Sequence, residues 1–214
     1  MTECRLWANS KTEKWADSQG KIYYYCSKCG IIQLDQTHIL SPSEEQERYL
    51  RHNNTPENKG YIAYLTNFIN TAIAPYIETG SKILDFGSGP IPVLSDLLTS
   101  RGFPTQSYDP FFKDNTNWEN ELFDAIAAVE VFEHLENPAK ELKTLSSCLS
   151  KGSYLIIRTM LHNNNWISFQ NWWYREDKTH ISFYSETTIN YICRTWKYDL
   201  IQINDQCEIV LRKK

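Results

Sequence analysis

The sequence lacks any surplus of basic residues. Its 22 Lys and Arg stand against 26 Asp and Glu, a formal charge of −4, the reverse of the footprint that draws a protein to phosphate backbones. Nucleic acid is therefore a disfavoured partner. No uninterrupted apolar run approaches the roughly eighteen residues of a membrane span, and the opening Met1-Thr2-Glu3-Cys4-Arg5 carries no apolar leader. A soluble, cytoplasmic chain with no membrane partner is expected. Internal repeats and low-complexity tracts are also missing. What is there is core material: 41% of the 214 residues are hydrophobic and 14% aromatic, enough to fold one domain with a small addition.

Six cysteines are present. Cys148, Cys193 and Cys207 are dispersed, whereas Cys4 and the pair Cys26-Ser27-Lys28-Cys29 crowd the front. That spacing points to metal rather than to a disulfide scaffold. Ile22-Tyr23-Tyr24-Tyr25 leads into Cys26-x-x-Cys29-Gly30, and Ile31-Ile32-Gln33-Leu34 leads out, so residues 1–40 read as a zinc-knuckle-like β-hairpin. Thiolate zinc sites are usually four-coordinate. Cys4, Cys26 and Cys29 give three ligands, with Met1 where a partner of Cys4 would stand and His38 or a water as the candidate fourth. The competing reading is a plain hairpin without metal.

Residues 41–80 read as connector helices. Ser41-Pro42-Ser43-Glu44 is a capping box with proline at the first helical position, opening a charged helix to about His52. Tyr49, Arg51 and His52 on it are either a lid over a ligand or a solvated face. From Gly60, Ile62, Leu65, Ile69, Ala72, Ile73 and Tyr76 repeat at helical spacing.

Residues 81–214 alternate strand and helix. Strands are expected at 82–86, 105–109, 123–129 and 154–159, with helices at 92–100, 138–149 and from Ser185. A closing antiparallel hairpin is expected over 198–203 and 207–211. Such alternation predicts an α/β fold, a doubly wound, mostly parallel sheet with helices on both faces.

The strongest chemical signal is Ile83-Leu84-Asp85-Phe86-Gly87-Ser88-Gly89-Pro90, a strand running into a glycine loop. Gly87 and Gly89 allow a tight turn and close backbone approach to a ligand. Tyr108-Asp109-Pro110 then puts a carboxylate at the end of the next strand, placed to accept from both hydroxyls of a ribose. The third glycine of a dinucleotide fingerprint is missing, since Ile91 and Pro92 fill that part of the loop. The loop suits a ribose-bearing cofactor without phosphates.

These residues resemble the class I S-adenosylmethionine-dependent methyltransferases, in particular a bacterial branch with an N-terminal zinc-finger-like segment. Phe123-Asp124-Ala125-Ile126, Glu130-Val131-Phe132-Glu133-His134-Leu135, Leu149-Ser150-Lys151-Gly152-Ser153 and Thr179-His180-Ile181-Ser182-Phe183-Tyr184-Ser185 extend the resemblance over nearly the whole chain. It implies a Rossmann-like fold and S-adenosylmethionine as cofactor. Asp85, Gly87 and Gly89 would line its methionine end, Asp109 would hold the ribose, and Val129 and Glu130 would border the sulfonium. Phe123 follows Asp109 by only fourteen positions, so one edge strand and the usual adenine loop are expected to be short or missing. Phe111 and Trp118 are the aromatic candidates there.

Methyl transfer is an in-line displacement that needs an oriented acceptor and, at oxygen, removal of its proton. Glu133, His134 and His180 are the candidate catalytic groups. Glu130, Glu133, His134 and His180 together are a candidate divalent-metal set, resembling the Glu-x-x-Glu-His with a distant His of metal-dependent small-RNA 3′-end and ubiquinone-pathway O-methyltransferases. The rivals are a metal-free site with His134 or His180 as general base, or a helix start capped by Glu133 and His134. Trp166, Phe169, Trp172, Trp173, Tyr174, Phe183 and Tyr184, with Arg175, Asp177 and His180, form either an acceptor wall or core packing. The expected function is methyl transfer to an oxygen of a small-molecule or sugar-like acceptor. The alternatives are a metal-dependent RNA 2′-O-methyltransferase and a non-catalytic cofactor- or partner-binding module.

Overall fold

The computed structural model describes residues 3–7, 11–17, 20–114 and 116–214. Three short strands come first, β1 (Glu13–Ala16), β2 (Ile22–Tyr25) and β3 (Ile32–Leu34), then helices α1 (Pro42–Leu50) and α2 (Lys59–Phe68), the latter continued by a π turn over Ile69–Ile73. The alternating part follows as β4 (Ile83–Phe86), α3 (Val93–Ser100), β5 (Thr105–Tyr108), β6 (Phe123–Val129), α4 (Pro138–Ser147) and β7 (Leu149–Arg158). The chain then runs through β8 (Leu161–His162), α5 (Trp166–Gln170), β9 (Ser182–Ser185), α6 (Glu186–Trp196), β10 (Tyr198–Asn204) and β11 (Glu208–Lys213).

The larger sheet has the order β10-β11-β7-β6-β4-β5. Its β5, β4, β6 and β7 are parallel, and β11 and β10 complete it antiparallel. Burial on both faces explains the continuous apolar strands. Leu84, Phe86, Ile126, Ala128, Leu155 and Ile157 face α4 and α6, while Ile83, Ala125, Ala127 and Ile156 face α2, its π turn and α3. Among the described residues between β5 and β6 there is an isolated bridge, Asp109 to Lys113, and a 3-10 turn over Thr116–Asn120 but no further helix or strand, and β5 is the edge, as the short spacer implied. Trp118 is 1% exposed and packs on Phe86 and Tyr108. It is core, not a surface for adenine.

Both helix starts are capped by serine. Ser41 and Glu44 form the reciprocal capping box of α1, and Ser185 caps α6 through Thr188. Strand β7 begins five residues before the expected Tyr154 and runs on directly from α4.

The front segment is built into the rest. Strands β1, β2 and β3 form an antiparallel meander, and β3 pairs with β9 through Ile32↔Phe183 and Gln33↔Ser182, giving a second sheet of order β1-β2-β3-β9-β8. The aromatic segment fills this sheet's core: Tyr23, Phe169, Tyr174 and Phe183 pack together, whereas Trp173 is 68% exposed. The late aromatics are therefore mostly packing. No helix among the described residues is long and apolar enough to cross a membrane.

Candidate active site

The site gathers where β4, β5 and β6 end, at the point where the connections leave β4 in opposite directions. The loop after β4 is pinned by Gly87 and Ser88 N–H groups donating to the Tyr108 carbonyl at 2.8 and 3.0 Å. Gly87 (φ +84°) and Gly89 (φ +69°) are both left-handed, but their surroundings differ. A Cβ on Gly87 would lie 2.4 Å from Val131 Cγ2, and one on Gly89 would meet nothing within 4 Å. Gly89 thus borders open space, a cradle that a side chain would occupy. At the end of β4, Asp85 is buried, accepts from Ser95 Oγ at 2.8 Å, and has its pKa pushed up to about 7 by desolvation. Asp109 is buried too: its Oδ2 accepts from Gly89 N–H at 2.9 Å, and its Oδ1 from Phe111 and Phe112 N–H at 2.9 and 3.2 Å. A carboxylate offers about four lone-pair positions, so the residue expected at the ribose also organises the glycine loop.

Strand β6 closes at Val129. The next residue, Glu130, has φ +54°, a conformation that non-glycine residues seldom adopt and that concentrates at functional sites. Its Oε1 accepts from Tyr64 O–H at 2.6 Å, and its Oε2 lies 3.1 Å from Tyr174 Oη. Burial and the neighbouring Glu133 carboxyl raise its pKa to about 7. A 3-10 turn, Phe132–His134, then presents Glu133 and His134.

Glu133 is 0% exposed. Its Oε1 accepts from Tyr174 O–H at 2.5 Å, while its Oε2 is buried with no hydrogen-bond partner. Desolvation raises its pKa. His134 Nδ1 is 3.0 Å from the Thr179 carbonyl, and His180 Nδ1 is 2.6 Å from the Tyr174 carbonyl. A carbonyl can only accept, so both rings carry the Nδ1 proton and leave Nε2 as a lone pair, the arrangement of metal-binding imidazoles. Burial and the facing histidine lower His134 to about 3, and burial lowers His180. Ligand atoms of Glu133, His134 and His180 lie within 4.8 Å of one another. Glu130 stands beside this group, not in it. The donor set and the orphaned carboxylate oxygen fit a divalent cation.

Sequence reasoning missed the residues that hold these groups. Arg158 Nε donates to Tyr64 Oη at 2.6 Å, and its guanidinium pairs with Glu208 at 2.5 Å, so Glu130 is anchored from α2 and β7. Tyr64 lies on a helix whose spacing signals only an apolar face. Tyr174 was legible as one aromatic among seven. Of the lid candidates, Tyr49 packs edge-on against His134 (5.3 Å) and Phe111 (5.6 Å), Arg51 is exposed and pairs with Glu47, and His52 is exposed.

At the front, Cys4, Cys26 and Cys29 are all buried, with thiols within 4.8 Å of one another and 3.4 Å between Cys4 and Cys29 Sγ. Tetrahedral zinc with bonds of about 2.3 Å separates its sulfurs by about 3.8 Å, so the trio fits zinc. His38 does not join it. It lines a cavity with Arg175, Asp177 and His180. Met1 lies outside the described residues.

A family model described as a methyltransferase domain matches residues 58–203, about two thirds of the chain. No curated protein sequence matches. Among solved structures, magnesium protoporphyrin IX methyltransferase from Synechocystis with bound SAH superposes with a TM-score of 0.55 at 12% identity, over 81% of this chain and 95% of that one. An O-methyltransferase family protein from Burkholderia thailandensis gives 0.54 at 10% identity, over 72% and 56%. Coclaurine N-methyltransferase bound to N-methylheliamine and SAH gives 0.44 at 18% identity, over 72% and 53%. The chain thus spans little more than half the length of the last two. The first two likenesses are of fold, and the match over residues 58–203 is of family: the chain belongs to the class I S-adenosylmethionine-dependent methyltransferases.

Proposed function

We propose that this chain transfers a methyl group from S-adenosylmethionine to a hydroxyl oxygen of a small-molecule acceptor, with a divalent cation held by Glu133, His134 and His180. The single observation that carries the reading is the buried, unpartnered Glu133 Oε2 beside two imidazoles whose Nδ1 protons are committed to carbonyls. Unpaired buried oxygens are costly, and a cation would remove that cost. When bound there, it would lower the pKa of an acceptor hydroxyl. S-adenosylmethionine supplies an electrophilic methyl on a sulfonium.

The rest falls to the chain. Asp85, Gly87, Gly89 and Asp109 bind the cofactor, and Val129 and Glu130 border its sulfonium. Tyr174 positions two ligands at once, its hydroxyl on Glu133 and its carbonyl on His180. Tyr49 covers His134 and excludes water. The depressed basicity of His134 and His180 argues against either as a lone general base, which works best with a pKa near the operating pH. In this reading residues 81–214 hold cofactor and metal, 41–80 supply the cover, and 1–40 wall the acceptor side, with structural zinc at Cys4, Cys26 and Cys29.

Excess chelator is expected to abolish methyl transfer to a hydroxyl acceptor while leaving S-adenosylmethionine binding, measured by calorimetry, unchanged. His180→Ala should do the same. Full turnover in chelator would remove the metal and return the proton to a histidine. A steep salt dependence of binding to labelled RNA would favour the RNA alternative, and no cofactor binding at all would leave a non-catalytic module.

A further inference from the structure

A cavity opens beside His180. It measures about 120 Å3 and is lined by Lys21, Tyr23, His38, Arg175, Asp177, Lys178 and His180 among others. A cavity of this size has room for a carboxylate or phosphate group. Its acidic and basic members are not equally free. Asp177 Oδ2 is taken by Arg48 at 2.7 Å, and its Oδ1 by the Thr179 N–H and O–H at 3.0 and 2.7 Å. Arg175 is neutralised by Asp17 at 2.6 Å. Lys21 and Lys178 make no ion pair among the described residues. His38 Nε2 is buried without a hydrogen-bond partner. What remains uncommitted is two ammonium groups and one imidazole nitrogen, all able to donate and none neutralised.

We infer that this cavity binds an oxyanion, a carboxylate or phosphate, carried by the methyl acceptor, so that the acceptor is an anionic hydroxy compound of small size. The inference rests on the proposed methyl transfer, because His180 belongs both to the cavity and to the metal set. An acceptor anchored by its anion at Lys21, His38 and Lys178 would reach past His180 with its hydroxyl. The donors come from the β1–β2 connection, the turn after β3 and the loop before β9. The front segment would therefore choose the acceptor, although the chain's overall charge is negative.

The test needs neither cofactor nor metal, which separates its failure from that of the proposed reaction. Inorganic phosphate, acetate and, as a neutral control, glycerol are titrated into the full chain at constant ionic strength, and the imidazole resonances are followed by NMR. With five histidines in the sequence, His38 is assigned by His38→Gln. A saturable shift of His38 with phosphate or acetate and none with glycerol is expected, and the stronger anion identifies the acceptor's group. Lys21→Met combined with Lys178→Met should weaken binding about tenfold or more, with thermal unfolding unchanged because both side chains reach solvent. No saturable His38 shift, or equal affinity in the double variant, overturns the inference. Displacement of phosphate by a short oligoribonucleotide with a steep salt slope overturns the small-molecule assignment in favour of RNA.

Discussion

Gly87 and Gly89 share a left-handed backbone but answer to different neighbours. Valine at Gly87 would press its Cβ into Val131, so Gly87→Val is expected to lose stability as well as cofactor binding. Gly89→Ala is the cleaner probe. It should cost about 1–2 kcal/mol in stability from the left-handed strain alone, while S-adenosylmethionine affinity in calorimetry falls much further. An unchanged affinity would place the cofactor elsewhere. Asp109→Ala is expected to cost about 2 to 4 kcal/mol of cofactor affinity. Asp109→Asn should recover part of it by restoring acceptors for the loop N–H groups. Asp85 carries a pH signature. Its folded pKa of about 7 exceeds the ordinary value near 3.9, so the folded state holds an extra proton between the two. Stability should fall as pH rises from about 4 to about 7, by on the order of 4 kcal/mol from this group. Asp85→Asn should flatten that slope in urea unfolding at a series of pH values, and a slope identical to wild type would refute the assignment.

At the scale of elements, the pairing of β3 with β9 changes what the front hairpin is. A free zinc knuckle could be lost without harm to its neighbour, but here Ile32 and Leu34 fill the same core as Phe169 and Phe183. Cys26 and Cys29 belong to the same buried cluster as the sheet residues Leu84 and Ile126. Protein prepared with adequate zinc is expected to carry about one equivalent, released by strong chelators or by acid as the thiolates protonate. Cys26→Ser should lower that content and the unfolding temperature together. Metal-free protein with an equally protected hairpin in hydrogen exchange would make the cysteines plain core residues. Helix α1 has no buried residue and is held by Arg48 to Asp177, Gln46 to the Phe111 carbonyl, and Tyr49 on His134. Arg48→Ala should therefore cost under about 1 kcal/mol in stability.

Across the whole molecule, a single core cluster runs from Cys4 and Ile31 through the sheet residues Leu84 and Ile126 to Leu211. One cooperative calorimetric transition is expected for the metal-loaded chain, and two well-separated transitions would mean that residues 1–40 fold independently. Local chemistry in the chain dictates several elements. The cap at Ser41, the helix start at Ser185, the apolar strand at 123–129 and the glycine loop after Phe86 are set by nearest neighbours and were legible, and the short stretch before Phe123 was legible against the resemblance. The sequence also named Glu133, His134 and His180, whose spacing around one strand end is local except for His180. Which groups meet across long separations is set by the packing of the folded chain. Tyr64 reaches Glu130 over 66 positions, and Tyr174 reaches Glu133 over 41. His38 arrives near His180 and not at the cysteines, because β3 is zipped to β9 and the turn after β3 is carried with it. Periodicity and caps report a residue's own backbone. Partners brought together by strand pairing leave no mark in either, and the site is made of them.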